Sequence, residues 1–321
     1  MISRVLTIAR STFLESIRQP VFTILLVGGG LALVLNTNLA AYTLEDDTKL
    51  LVDLGLSTIF IIALLLCAFT ATNVLSREFE NKTALTIISK PVSRPAFIVG
   101  KYLGVSASIT VAFWILTVIF LLTVRHRVRE AAYEDHDVPI LLLGIGASLM
   151  TALIAGLANY FYRWVFTSTF ICTGLVLMTL AWGASLIIAR NWAWQHPMTD
   201  INPQLLLGLV MVLLAALVLS AVALLCSTRC GQVLTLVICT GTFLVGLVSE
   251  YFLGTLLTQS RGWYPLYVAI PNLQMFWPAE ALTQGNHIPV SHVLMLAGYA
   301  GAMIVALLSF AIAAFQTRDI G

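Results

Sequence analysis

The side chains best suited to metal binding or nucleophilic chemistry are sparse and irregularly spaced in this sequence. Cys226 and Cys230 are four residues apart and can share a helical face, a spacing that suits a metal pair or, more simply, close helix packing. The histidines show no ligand spacing such as H-x-x-x-H, and all fall in polar connections: His126, His136, His196, His287 and His292. We therefore expect no metal site.

Motifs that would identify an enzyme are also absent. The sequence contains no G-x-x-x-x-G-K-[ST] loop to hold nucleotide phosphates, no G-x-S-x-G and no H-E-x-x-H. We expect this chain not to be an enzyme, and any ATP hydrolysis that drives it must take place in another subunit.

One charged segment is long enough to form a docking surface. Residues 76–95 read S-R-E-F-E-N-K-T-A-L-T-I-I-S-K-P-V-S-R-P, with Phe79 and Ile87 at helical spacing. Pro91 and Pro95 lack an amide donor and restrict the preceding residue, so we expect them to end the helix. The sequence predicts a short charged helix and a turn. Two roles stay open for it: a solvated cap on a hairpin, or a docking surface for a soluble partner.

Long apolar runs surround this segment. Of 321 residues, 59% are hydrophobic and 10% are charged, against about 25% charged in soluble domains, which excludes a water-soluble fold. About 20 apolar residues span a bilayer core about 30 Å thick. The pattern predicts an all-α polytopic membrane protein with about eight transmembrane helices, near residues 20–40, 51–75, 98–124, 138–161, 164–189, 204–226, 231–255 and 290–315.

The first nineteen residues have a different pattern from the rest. An apolar stripe faces one way, and Arg4, Arg10 and Arg18 face the other, so residues 1–19 predict an amphipathic elbow helix with its arginines toward lipid headgroups. A basic juxtamembrane flank is the simpler alternative. Residues 20–321 then form a single transmembrane domain.

The distribution of basic residues predicts the orientation. With the N-terminus in the cytosol, eleven of the 17 Lys and Arg residues lie inside and six lie outside, as the positive-inside rule requires. An even number of spans places both termini in the cytosol. Arg125, Arg127 and Arg129 oppose this assignment, although four acidic residues follow them in the same connection.

The run from Arg77 to Gly104 resembles the coupling segment of type-2 ABC-transporter permeases, most closely the multi-copper enzyme maturation branch. The family pattern is roughly E-x-E-x-x-T-x-x-x-L-x-x-x-P-[VI]-S-R-x-x-x-x-x-G-K. The matching positions here are Glu78, Glu80, Thr83, Pro91, Val92, Ser93, Arg94, Gly100 and Lys101. In that family the segment lies between the second and third spans and docks in a groove of an ATP-binding subunit.

The resemblance implies a permease subunit of an ABC transporter, by family an exporter, in the bacterial inner (cytoplasmic) membrane. It implies a homodimer or heterodimer of permeases with a separate ATP-binding subunit that carries ATP and Mg. We expect no cofactor in this chain and no nucleic-acid partner. Within the coupling segment 76–96, the predicted ATPase-coupling residues are Arg77, Glu78, Phe79, Glu80, Lys82, Thr83, Leu85, Pro91 and Arg94.

A second stretch, Tyr264 to Trp277, is similar to the segment these permeases carry before their last span, which partly re-enters the bilayer from outside. The resemblance implies a re-entrant segment at 258–289. The candidate outer gate consists of Glu250, Pro271, Asn272 and Phe276. For Glu250, an interfacial polar anchor is the alternative. The ending F-Q-T-R-D, from Phe315, is similar to the family's closing signature.

The chain departs from the family pattern in length. Most such permeases have six spans, and residues 125–225 predict an additional hairpin. A secondary transporter usually carries ionisable groups near the membrane midplane, and here the ionisable residues lie near span ends. A secondary transporter and a non-transporting membrane scaffold remain the alternatives. The substrate cannot be read from the sequence.

Overall fold

Helices make up most of the described chain. The computed structural model describes residues 2–40, 47–80, 93–126, 136–251, 264 and 270–316, without the side chains of 38–40, 47 and 76–80. The helices are α1 (Ile2–Ile17), α2 (Pro20–Ala40), α3 (Asp47–Glu80), α4 (Arg94–His126), α5 (Val138–Tyr162), α6 (Phe166–Ile187), α7 (Pro203–Ser227), α8 (Gln232–Ser249), α9 (Ala279–Thr283) and α10 (Val290–Gln316). A 3-10 turn at Gln274–Phe276 precedes α9.

Eight helices in the described ranges, α2 to α8 and α10, are long and apolar enough to cross a membrane. The prediction of an all-α polytopic membrane protein with about eight spans is therefore confirmed. The bounds differ most in three spans. Helices α3 and α4 have 34 and 33 residues and extend beyond their predicted ends. The α-helical part of α8 has 18 residues, a π-helical turn follows at Glu250 and Tyr251, and the predicted end near residue 255 lies outside the described residues.

Proline begins several of these helices. Pro20 and Pro203 are the first residues of α2 and α7, and Pro139 lies in the first turn of α5. The first amides of a helix have no partner within it, so a residue without an N–H is tolerated there. Pro95 lies in the first turn of α4 for the same reason. The expectation that Pro91 and Pro95 end the short helix before them concerns residues 81–92, which lie outside the described residues.

Helices α3, α4 and α7 form the centre of the bundle, and α5, α6, α8 and α10 are more exposed. A close contact between α3 and α4 lies in this core. A Cβ atom on Gly55 would lie 2.0 Å from the ring of Phe120, which is fully buried. The two longest helices therefore approach closely because one of them lacks a side chain at this point.

Helix α1 packs along the first half of α4. A Cβ atom on Gly100 would lie 2.8 Å from Ile8, and one on Gly104 would lie 2.6 Å from the carbonyl oxygen of Ala9. The two glycines, four residues apart, let the helix backbones approach closely. The opposite face of α1 stays exposed and carries Arg4 and Arg10 beside Ile2 and Leu6. α1 therefore has one packed face and one exposed face that is both apolar and basic.

Both termini of the described chain lie at one end of the bundle, here called the proximal end. Arg94, at the start of α4, donates from Nη1 to the carbonyl oxygen of Gln316 at 2.7 Å. Arg229, after α7, donates from Nη2 to that of Ala314 at 2.7 Å, and the Thr167 hydroxyl donates to that of Arg18 at 3.0 Å. The opposite end is called the distal end.

Candidate functional site

The predicted coupling residues lie at the proximal end, between α3 and α4. Arg77, Glu78, Phe79 and Glu80 belong to the last turns of α3. The remaining predicted residues, Lys82, Thr83, Leu85 and Pro91, lie outside the described residues. Their predicted role therefore stays a prediction.

Arg94 is the predicted coupling residue whose side-chain contact is described. Its guanidinium binds the last carbonyl of α10, a favourable place for a cation because a helix C-terminus carries partial negative charge. Phe97, one turn further along α4, stacks on Phe315 with ring centroids 5.5 Å apart. The start of α4 is thus attached to the end of α10, close to the predicted coupling segment.

Lys101 connects α1 to the first half of α4. Its ammonium lies 3.9 Å from a carboxylate oxygen of Glu15 in α1 and 5.6 Å from the ring centroid of Phe97. The lysine is buried, at 2% exposure, and a buried charge is tolerated when a carboxylate and an aromatic face are close to it. The three predicted elbow arginines, Arg4, Arg10 and Arg18, are exposed on α1.

At the distal end, the structure brings together the residues predicted as an outer gate. The side-chain amide of Asn272 donates to Glu250 Oε2 at 3.0 Å, and the backbone amide of Asn272 donates to the hydroxyl of Tyr299 at 3.0 Å. Phe276 is buried and its ring centroid lies 5.9 Å from that of Tyr299. Tyr299 is nine residues, or about 14 Å, from the first residue of α10. The segment around Asn272 therefore packs beside the middle of a span.

Two glycines hold this segment in place. A Cβ atom on Gly246 would lie 2.7 Å from the carbonyl oxygen of Pro271 and 2.9 Å from Leu273. The amide of Leu273 donates to the Gly246 carbonyl at 3.0 Å. On the other side, a Cβ atom on Gly208 of α7 would lie 3.1 Å from Pro278. Helices α7 and α8 thus form a close-fitting seat for residues 271–278.

Aromatic rings complete the seat. Trp277 packs at 5.9 Å from Phe60 of α3, which meets Phe243 of α8 edge to face at 5.0 Å. Such pairs add about 0.5–1.5 kcal/mol each beyond the area they bury. The segment is thereby connected to α3, the helix whose other end carries Arg77 to Glu80.

The distal site is rich in hydrogen-bonding groups. It places a carboxylate, a carboxamide and a phenol within reach of one another. Asn272 is 6% exposed, and its side-chain oxygen accepts no hydrogen bond from the described residues. An acceptor left unsatisfied in a buried site favours rearrangement toward a donor. Asn272 can therefore exchange its hydrogen-bond partners. Its contacts with Glu250 and Tyr299 are called the Asn272 latch below.

A second polar cluster lies at the distal end, around Arg125. Its Nε lies 3.0 Å from Asp200 Oδ2, and its Nη2 donates to the carbonyl of Ile188 at 2.6 Å. Gln195 donates to the same carboxylate oxygen. The connection from α6 to α7 thus folds over the last turn of α4. Asp200 offsets one of the basic charges that oppose the predicted orientation.

Replacing Asp200 by asparagine is expected to destabilise the protein by about 1.5–3 kcal/mol, the range for hydrogen bonds to charged groups. The reason is that Arg125, whose side chain is 10% exposed, would keep its charge without a carboxylate beside it. Thermal unfolding in detergent micelles measures the change. Arg190→Gln, an exposed change at the same end, is the control and should be neutral. Equal stability of the two variants would show that the ion pair contributes nothing.

Sequence reasoning missed Tyr299, Gly246 and the Arg125–Asp200 pair. Tyr299 carried a usable signal, because a phenol in the middle of an apolar span needs a hydrogen-bond partner. Gly246 carried no such signal in the sequence, since its importance depends on a segment 25 residues further along the chain. The ion pair joins residues 75 positions apart, one in the last turn of α4 and the other in the connection from α6 to α7.

No protein-family model matches this chain, and no curated protein matches it.

Proposed function

We propose that this chain is the membrane-spanning permease subunit of an ABC transporter, an exporter powered by a separate ATP-binding subunit. That subunit would dock on the connection between α3 and α4, and the permease would act as a dimer. The observation that carries the proposal is the run from Arg77 to Gly104, which joins the second and third spans at the proximal end of the bundle.

The lengths of α3 and α4 support this proposal. Helix α3 continues without a break to Glu80, past the end of its apolar run at Leu75. Five further residues extend a helix by about 7.5 Å. The last turns of α3, which contain Arg77, Glu78 and Glu80, therefore continue beyond the apolar span. A partner that binds there would act directly on α3.

The contacts of α3 show which part of the molecule a displacement of this helix would reach. At its distal half, Phe60 packs on Trp277, next to the segment that carries Asn272 and Phe276. A tilt of α3 would therefore shift one wall of the seat of that segment. We infer that ATP-driven closure of the partner subunits tilts α3 and α4, and that the Asn272 latch then exchanges partners and opens the distal end.

The charge distribution supports a cytosolic proximal end. Among the described residues, eight basic residues lie at that end: Arg4, Arg10, Arg18, Arg77, Arg94, Lys101, Arg163 and Arg229. Three lie at the distal end: Lys49, Arg125 and Arg190. This bias agrees with the positive-inside rule and supports a proximal end in the cytosol, where ATP would be available to the partner subunit. The location that we propose is the bacterial inner membrane, with both termini in the cytosol.

The test is co-purification with a P-loop ATPase encoded beside this chain. Reversing the charge of Glu78 and Glu80 to lysine is expected to abolish co-purification, because charge-assisted contacts to a basic groove would become repulsive. The control is Glu280→Lys, an exposed reversal at the distal end, which should leave binding intact.

Two results would contradict the proposal. Binding of the ATPase that survives deletion of residues 78–90 would show that the coupling assignment is wrong. Transport in proteoliposomes that follows an ion gradient and ignores ATP would establish a secondary transporter instead. A chain that binds no ATPase and transports nothing, but retains envelope proteins on its distal loops, would be a scaffold.

A further inference from the structure

A groove of about 670 Å³ opens between α2, α4, α5 and α6. It lies on the side of the bundle away from the Asn272 site and does not share its residues. Each of three walls contributes a glycine, Gly30 from α2, Gly144 from α5 and Gly174 from α6. Its volume lies within the range of small-molecule sites, about 300–1,000 Å³.

The polarity of the groove changes along its length. At the distal end it is lined by Thr37, His126 and His136, and the two imidazole rings stack with centroids 5.8 Å apart. Deeper in the bundle the lining is formed by leucine, isoleucine, valine, phenylalanine and methionine side chains, with two hydroxyls. A ligand that fits has a polar end at the membrane interface and an apolar body below it.

The hydroxyl groups of Ser148 and Thr151 in the deeper part already donate hydrogen bonds within the protein. The hydroxyl of Ser148 donates to the Gly144 carbonyl at 2.8 Å, and that of Thr151 donates to the Ala147 carbonyl at 2.7 Å. Both hydrogen bonds lie within α5. The apolar part of the groove therefore offers no hydroxyl donor to a polar solute, which would lose its hydration there without replacement.

The length of the groove suits an extended hydrocarbon chain. Its lining on α5 runs from Ile140 to Thr151, about 16 Å. An occupant that follows this lining is long and apolar, with its polar end near His126 and His136. A hydrocarbon chain attached to a polar headgroup has this form.

We propose that this groove binds an acyl chain of a membrane lipid, with the lipid headgroup beside His126 and His136. The groove is longer than half of a bilayer core, about 15 Å, so the chain of a lipid in the distal leaflet fits along it. The hairpin of α5 and α6 supplies two of its four walls. The role of that hairpin is then to form a lipid site. The inference does not depend on an ATP-driven role.

The test uses photo-cross-linking in nanodiscs that contain phosphatidylethanolamine with a diazirine in the middle of one acyl chain. Labelling is expected to concentrate on residues 115–123 of α4 and 141–149 of α5. Gly144→Leu should abolish it, because a Cβ atom there meets only Leu122, at 3.6 Å, and the rest of the side chain would enter the groove. Ser148→Leu, one turn along the same wall, is a second blocking variant. Gly146→Leu is the matched control, since Gly146 faces open space on the same helix.

The same lipid with the diazirine on its headgroup tests the direction of binding, and is expected to label residues near His126 and His136. Three outcomes would overturn the proposal. Labelling spread evenly over the exposed face of α5, including Met150, Leu153 and Leu157, would indicate annular lipid alone. Labelling that persists in both blocking variants would contradict binding in the groove. Headgroup labelling at the proximal end would contradict the proposed direction of binding.

Discussion

Replacing Gly104 by valine is expected to release α1 from α4 and to lower the stability of the protein by about 3 kcal/mol, the upper part of the range for overpacked sites. A Cβ atom at this position would lie 2.6 Å from the carbonyl oxygen of Ala9 and 2.5 Å from Cβ of Thr12. Neither atom is the end of a flexible side chain, so α1 itself must move. The contact between Lys101 and Glu15 would be lost with it.

Hydrogen exchange distinguishes this outcome from general destabilisation. Once α1 leaves α4, its 16 residues only just exceed the length of about 12–15 residues below which isolated helices are marginal in water, and it loses the packing that supplies most of the stability of a helix in a protein. The amides of residues 2–17 should therefore exchange faster in Gly104→Val, before those of α7 change. Gly156→Val is the control, because a Cβ atom there meets nothing within 4 Å. Unchanged exchange in α1 would contradict the assigned role of Gly104.

Replacing Gly246 by valine is the second change with a large expected effect, again about 3 kcal/mol. The added Cβ atom would lie 2.7 Å from the carbonyl oxygen of Pro271, and residues 271–276 would have to move away from α8. Leu273 and Phe276, now buried, would leave the seat. Both hydrogen bonds of Asn272, to Glu250 and Tyr299, would break.

Gly241→Val is a matched control for this change, since Gly241 lies on the same helix and a Cβ atom there meets nothing within 4 Å. The measurement is thermal unfolding together with hydrogen exchange at residues 271–277. The expected pattern is a lower Tm and faster exchange in Gly246→Val and wild-type values in Gly241→Val. Equal behaviour of the two variants would show that α8 does not hold the segment.

The helical architecture could be predicted because its signal is local. A span is a run of apolar residues about as long as the bilayer core is thick, and the charges that bound it lie beside it in the chain. The predicted starts of two spans, at residues 20 and 204, lie within a residue of the starts of α2 at Pro20 and α7 at Pro203 for this reason. A proline alone does not distinguish the end of a helix from its first turn, and Pro95 occupies the first turn of α4.

The distal site could be predicted only in part. Pro271, Asn272 and Phe276 were selected from a resemblance, and Glu250 from its place in a predicted span. The structure places them together, but their role as a gate stays a prediction. Tyr299 and Gly246 complete the site through contacts with distant parts of the chain. Such contacts depend on how eight spans are arranged around one another, and a sequence read span by span contains no measure of that arrangement.

The length of α3 has a consequence for its orientation in the bilayer. Its apolar run, residues 51–75, is about 37 Å long, whereas a bilayer core is about 30 Å thick. A hydrophobic stretch longer than the core is accommodated by tilting, and a thinner membrane requires a larger tilt. Phe60 of α3 packs on Trp277, beside the segment that carries Asn272. The thickness of the host membrane therefore bears on the seat of that segment through the tilt of α3.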